Sequence, residues 1–187
     1  MVSIQVWKFV RASRVATAIT ILLFLMIAAP VSAQSSESAG DNNSFWNISK
    51  SVLLDPTTYA PAGISYTATR LDWNTSQPFF ARGFIERNPR FTITGLPNDV
   101  PLSHADGNKR ILTDTLMIMQ MSAVHNLGVQ SLERLFIAKN PEHRKLIKTI
   151  GWIERVAFAS YWSYRLSDEH WRQWRENQQT AAAMNFR

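Results

Sequence analysis

Three groups of side chains have the types and spacing to do chemistry. Met117, Met121 and His125 stand at i, i+4 and i+8, along one stripe of a helix. Two thioethers and an imidazole form a donor set for a soft metal such as Cu(I). Methionines on a helix also serve simply to fill a core. Asp72 and Glu86 are the second group. Folded together, two carboxylates can share acid–base work, which would suit a hydrolase acting on envelope polymers. Arg82, Arg87 and Arg90 lie close in sequence. The competing reading is therefore an ion pair that pins the loop, and on that reading Asp72→Asn or Glu86→Gln lowers the melting temperature. The third group is aromatic and basic. Trp152, Phe158, Tyr161, Trp162, Tyr164, Trp171 and Trp174 alternate with Arg155, Arg165, Arg172 and Arg175. Amphipathic rings and cations suit a membrane interface or another binding face. Arg165, Trp171, Arg172, Trp174 and Arg175 are its candidate residues. His104, His143 and His170 fall beside expected loops or helix starts and read as solvated.

Around the carboxylates, Asp72-x-x-Thr75 is followed by Gly83-x-x-Glu86-x-Asn88-Pro89. This pattern resembles the first helix and loop of small bacterial membrane proteins in a domain family of unknown function. The resemblance spans residues 72–89 and implies a helical envelope protein without an assigned activity. The segment around Asp72 departs from it in being too polar to span a membrane.

Other signatures are missing. The chain contains no H-E-x-x-H, no Glu-x-x-His, no G-x-S-x-G and no glycine-rich phosphate loop. It has no cysteine, which excludes disulfides, thiol nucleophiles and cysteine-based zinc sites. Nothing in the sequence implies a cofactor.

The N-terminus reads as an address. Lys8, Arg11 and Arg14 precede an apolar run from Val15 to Ala29, then Pro30 and Val31-Ser32-Ala33. That order matches a secretory signal cleaved after Ala33. The alternative is an uncleaved anchor in the inner membrane. Export implies a periplasmic or extracellular location. Losing Lys8, Arg11 and Arg14 from the 20 basic residues leaves 17 against 14 acidic ones, a net of +3. That is a weak basis for nucleic-acid binding. Residues 34–50 are expected to form a flexible tether, and 51–187 a helical domain with an extended loop at about 78–107.

The elements that must position these groups are helices. Glycine is scarce, at 7 residues in 187, which argues against turn-dense β designs. Asp55-Pro56 and Asn140-Pro141-Glu142 are helix starts, with a capping acceptor followed by proline. Ile64, Ala68, Leu71 and Thr75 recur at helical spacing in a segment expected to end or kink before Pro78. Arg90 to Thr94 alternates like a strand but has no partner run, so it reads as extended loop. Asn108 to about Lys139 is expected to be a helix buried along Ile111–Val124. The next helix would bury Leu146, Ile150, Ile153 and Ala157, end near Leu166 and restart at Ser167-Asp168-Glu169, with fraying ends. The fold class is all-α, a small irregular bundle of four to five helices. The leading functional expectation is a non-enzymatic exported protein that binds a membrane surface, an envelope protein or another copy of itself.

Overall fold

The caps written into the sequence start the elements. The computed structural model describes residues 41–186, and the expected signal or anchor segment lies outside them. Helix α1 spans Asp41–Leu54. Asp55 then accepts from the Thr57 backbone N–H at 3.0 Å and caps a 3-10 turn over Pro56–Thr58. Helix α2 spans Ala60–Phe80, α3 spans His104–Lys139 and α4 spans Arg144–Ala183. The fold is all-α, with four helices and no strand among the described residues. Residues Trp46–Arg187 form one compact unit, and Asp41–Phe45 belongs to a separate unit.

Several elements differ from the sequence reading. Asp41–Leu54 is helical where a tether was expected, and Ile48 and Val52 are buried. Pro78 lies inside the last turn of α2 rather than beyond its end. A proline there costs one backbone donor near the terminus. The Gln77 side chain donates to the Trp73 carbonyl at 2.9 Å, and Phe79 is buried. Helix α3 begins at His104, with Ser103 as its cap, so the end of the expected loop, residues 104–107, is helix. Helix α4 runs through Ser167 without a break over 40 residues. Ser167 has no free amide to cap. Its hydroxyl donates to the Ser163 carbonyl at 2.6 Å, and that of Ser163 to the Ala159 carbonyl at 2.6 Å. The C-terminal end is also tied down. Asn185 takes φ 53 and the Phe186 N–H reaches the Ala181 carbonyl at 2.8 Å, a left-handed helix stop. The Phe186 ring meets Phe79 and Phe84 edge-on, with the Arg82 guanidinium 3.9 Å from its centre.

Helices α2 and α4 run parallel: Asp72 meets His170, and Ser76 meets Asn177. Helices α3 and α4 run antiparallel: His125 stacks on Phe158, and Glu133 lies over Gly151. The connecting segment from Ala81 to Ser103 folds over one end of α2. Asn88 caps a 3-10 turn over Pro89–Phe91, and two isolated bridges, Glu86 with Asp99 and Thr92 with Pro101, close the loop. Phe91 packs there on Trp73 and Ile111 to form a small apolar core.

Apart from Ile111, the inward faces of the two long helices are polar or small. On α3 they are Gly107, Ile111, Ser122, Asn126 and Gln130; on α4 they are Gly151, Arg155, Ala159, Ser163 and Ser167. Their spacing of four residues lines one ridge of each helix. Small residues let backbones approach closely, and hydroxyls bonded to the preceding turn need no outside partner. Ile111 is buried as expected, but many of the other apolar residues expected inside are outside. Leu112, Leu116, Met117 and Met121 of α3 are exposed, as are Leu146, Ile150, Ile153 and Ala157 of α4.

Candidate functional site

Asp72 and Glu86 do face one cavity, but neither holds an arginine. Arg90 pairs with Asp114 on α3, and Arg82 donates to the Pro78 carbonyl. The partner of Asp72 is His170, whose Nδ1 lies 2.7 Å from Oδ2. A carboxylate only accepts, so in a hydrogen bond to the Asp72 carboxylate the donor is the Nδ1–H. His170 is therefore half-buried in mid-helix rather than solvated. Asn177 fixes the other side of the dyad. Its Nδ2 lies 2.8 Å from Ser76 Oγ, 3.3 Å from Asp72 Oδ1 and 3.4 Å from Thr75 Oγ1.

Glu86 reaches the same place from the connecting segment. Its Oε1 accepts from the Asn88 N–H at 2.7 Å, and its backbone bridges Asp99. Burial pushes its carboxyl above the ordinary range; the Asn88 N–H opposes this and the charge of Asp72 adds to it. Thr69, Ser76 and the rings of Trp73 and Phe91 complete the wall. The space between them is about 20 Å³, room for about one water and far below that of a sugar ring. The arrangement gathers an imidazole and two carboxyl groups around a space with room for about one water.

The raised Glu86 carboxyl reverses the expected stability effect of its substitution. A carboxyl raised in the folded state favours folding while protonated. That contribution is full below the unfolded value and is lost as pH rises through the folded one. Glu86→Gln keeps an oxygen to accept from Asn88 and removes the buried charge. Its melting temperature should exceed the parent's at neutral pH, with the difference vanishing at acid pH. Thermal melts across pH 4–8 check this, and a variant less stable at neutral pH would mean the charge is needed.

The possible metal donors point to other work. Met117 and Met121 are exposed, while the His125 Nε2 lies 3.0 Å from Glu154 and the ring stacks on Phe158 at 3.6 Å. Burial pushes this imidazole below its ordinary value, against the pull of Glu154. Among the described residues, no cluster of three or more His, Asp or Glu has metal-site geometry. In the C-terminal set, Trp171 and Trp174 are half-buried and lean edge-to-face at 5.6 Å. Arg172 lies between Glu169 and Glu176, each at 4.0 Å, while Arg165 and Arg175 are exposed.

The sequence reading missed the most buried polar cluster. Arg155 lies between Asp55 and Glu133: its Nη1 binds Glu133 and its Nε lies 2.9 Å from Asp55 Oδ2. The Nε contact is Coulombic rather than a directed hydrogen bond. Beside it, Asn126 Nδ2 donates to Thr57 Oγ1 at 2.9 Å and Thr58 Oγ1 at 2.8 Å. The spacing of four in Ser122-Asn126-Gln130 and Gly151-Arg155-Ala159 was its visible signal. A further open groove of about 430 Å³ lies between the connecting segment and the start of α3, with Lys109, Arg110 and Asp106 on its wall. It contains none of the carboxylates, methionines or tryptophans singled out above.

The far end of the α3–α4 hairpin is open to solvent. From Arg134 to Ile150 every residue is exposed except Ile137 and Ile147, which are half-buried. This tip carries Lys139, Arg144, Lys145 and Lys148, none in an ion pair with a described carboxylate. Leu135, Phe136 and Trp152 are each more than half exposed beside them. No described helix is long and apolar enough to cross a membrane. Comparison of the chain with family models, with curated proteins and with solved structures finds no match.

Proposed function

We propose that this is a non-enzymatic binding protein of the cell envelope that docks on an anionic membrane surface through the tip of the α3–α4 hairpin. The observation that carries the reading is the tip itself: Lys139, Arg144, Lys145 and Lys148, without an ion-pair partner among the described residues, beside exposed Leu135, Phe136 and Trp152. Lys145, Lys148 and Trp152 fall at i, i+3 and i+7, on one side of α4. Lysine stems can lie along an apolar surface while their charges stay in the headgroup layer, where an exposed indole also sits well. Each cation near an anionic bilayer contributes on the order of 1 kcal/mol, screened by salt. The C-terminal set Arg165, Trp171, Arg172, Trp174 and Arg175 offers less, because its rings are partly packed and Arg172 has acidic neighbours. The enzymatic alternative at Asp72 and Glu86 is weakened by a cavity of about 20 Å³.

Co-sedimentation of the full chain with vesicles of phosphatidylcholine and phosphatidylglycerol tests the proposal. Binding should exceed that to pure phosphatidylcholine and fade as salt rises. Lys145→Glu with Lys148→Glu should weaken it by roughly tenfold or more. Equal binding by that variant, or no preference for anionic lipid, would sink the tip as the docking site. Loss on Trp171→Ala with Trp174→Ala alone would move the site to the C-terminal surface.

A further inference from the structure

Helix α4 carries a second apolar surface, which starts within the tip, on another side of the helix from Lys145 and Lys148, and runs on beyond it. Leu146, Ile150, Ile153, Ala157, Tyr161 and Tyr164 are all exposed, and all but Ala157 are more than half exposed. Their spacing of four, three, four, four and three keeps them on one line of the helix, the repeat by which one helix packs along another. The line lies opposite the inward stripe of Gly151, Arg155 and Ala159.

Two properties of the line point to its occupant. No charged residue falls on it, and the nearest, Glu154, is held by His125. Lys145 and Lys148 project from the other side of the helix, at 100° per residue. An apolar line with a single flanking cation, Arg165 at its C-terminal end, offers less to an anionic bilayer than the basic tip does and suits a protein helix. The line is also self-complementary on reversal. Turning a second α4 about a point between Arg155 and Val156 sets Leu146 beside Tyr164, Ile150 beside Tyr161 and Ile153 beside Ala157. Aliphatic then meets aromatic, large meets small, and His143 meets Asp168 at both ends. A two-fold contact requires this reciprocity, with residue i on j and j on i. The line runs about 27 Å at the helical rise, and with its flanks it presents several hundred Å², the scale of one side of a small specific interface.

We propose that the protein pairs with a second copy of itself, α4 against α4 and antiparallel, along Leu146–Tyr164. The chain has no cysteine, so introduced thiols are the only ones present. Full-length Leu146→Cys carrying an affinity tag is mixed with untagged full-length Tyr164→Cys under mild oxidation. A disulfide-linked tagged–untagged pair is expected, with no cross-link in either variant alone, because like positions lie about 27 Å apart in the antiparallel pair. Ala157→Glu with Tyr161→Glu should weaken self-association at least tenfold in sedimentation equilibrium. Its circular dichroism should not change, because both sites are exposed. Cross-linking within either single variant would overturn the antiparallel pair. A monomer at every concentration, or a dimer untouched by the two glutamates, would overturn the α4 contact itself. Should the double variant lose its helix, the cross-linking result decides. Binding to anionic vesicles is expected to survive the two glutamates, which separates failure of this contact from failure of the tip.

Discussion

Arg155→Met should remove about 3–5 kcal/mol of stability, the range expected when one partner of a buried charge set is deleted. Arg155 is the only cation paired with Asp55 and Glu133 among the described ion pairs, and all three side chains are nearly closed off from solvent. Without it, two carboxylates face each other with no counter-charge. The set also joins three elements: Asp55 caps the 3-10 turn ahead of α2, Glu133 belongs to α3 and Arg155 to α4. Urea unfolding followed by circular dichroism measures the loss, and a change below about 1 kcal/mol would mean that water reaches the site freely. Adding Glu133→Gln to Arg155→Met should recover part of the loss, since it removes one of the stranded charges. Gly151 belongs to the same arrangement. A Cβ at that position would run into the Glu133 carboxylate, so Gly151→Ala should displace the pair and destabilise in the same assay.

Trp73→Ala should cost a comparable amount, about 3–5 kcal/mol for a large aromatic taken from a core. Trp73 is 3% exposed. Its ring stacks on Phe91 at 5.1 Å and tilts against Phe80 at 5.5 Å. It also lies so close over Gly107 that any Cβ there would overlap its six-membered ring. The indole therefore holds α2, the start of α3 and the connecting segment together. Gly107→Ala alone should destabilise by about 1–3 kcal/mol through overpacking. Trp73→Phe makes room for that methyl, so the double variant should be more stable than the two single losses summed. Strict additivity in denaturant titrations would show that the two residues do not share a contact.

Much of the local structure was legible beforehand because it depends on neighbours in the chain. Asp55-Pro56 starts a 3-10 turn with the expected side-chain cap. Asn140-Pro141 also starts one, but its side chain turns back and Nδ2 donates to the Phe136 carbonyl, closing α3 instead of capping the 3-10 turn after it. The candidate site was half legible. Asp72 and Glu86 were marked by their types and by the loop between them. Their partner His170 was not, because it lies 98 residues from Asp72 and the Ser167-Asp168-Glu169 triplet imitates a helix start. A serine can cap a helix or bond back to the preceding turn, and the choice depends on whether the chain before it is already helical.

By itself the sequence determined that the described residues are all-α, that Asp55 caps a first turn and which residues are candidates for chemistry. Those properties come from propensity, capping and periodicity, which act within about one helical turn. Only the tertiary structure decided which face of each helix is buried. Periodicity shows that α3 and α4 each have an apolar and a polar stripe, and transfer free energy alone favours burying the first. Here the second is buried. Glycine, alanine and serine allow close helix approach, and Ser163, Ser167, Asn126 and Arg155 find their partners inside. Whether a polar group can be buried depends on partners supplied by distant parts of the chain, such as Asp55 for Arg155 and Thr58 for Asn126, and no local pattern records them.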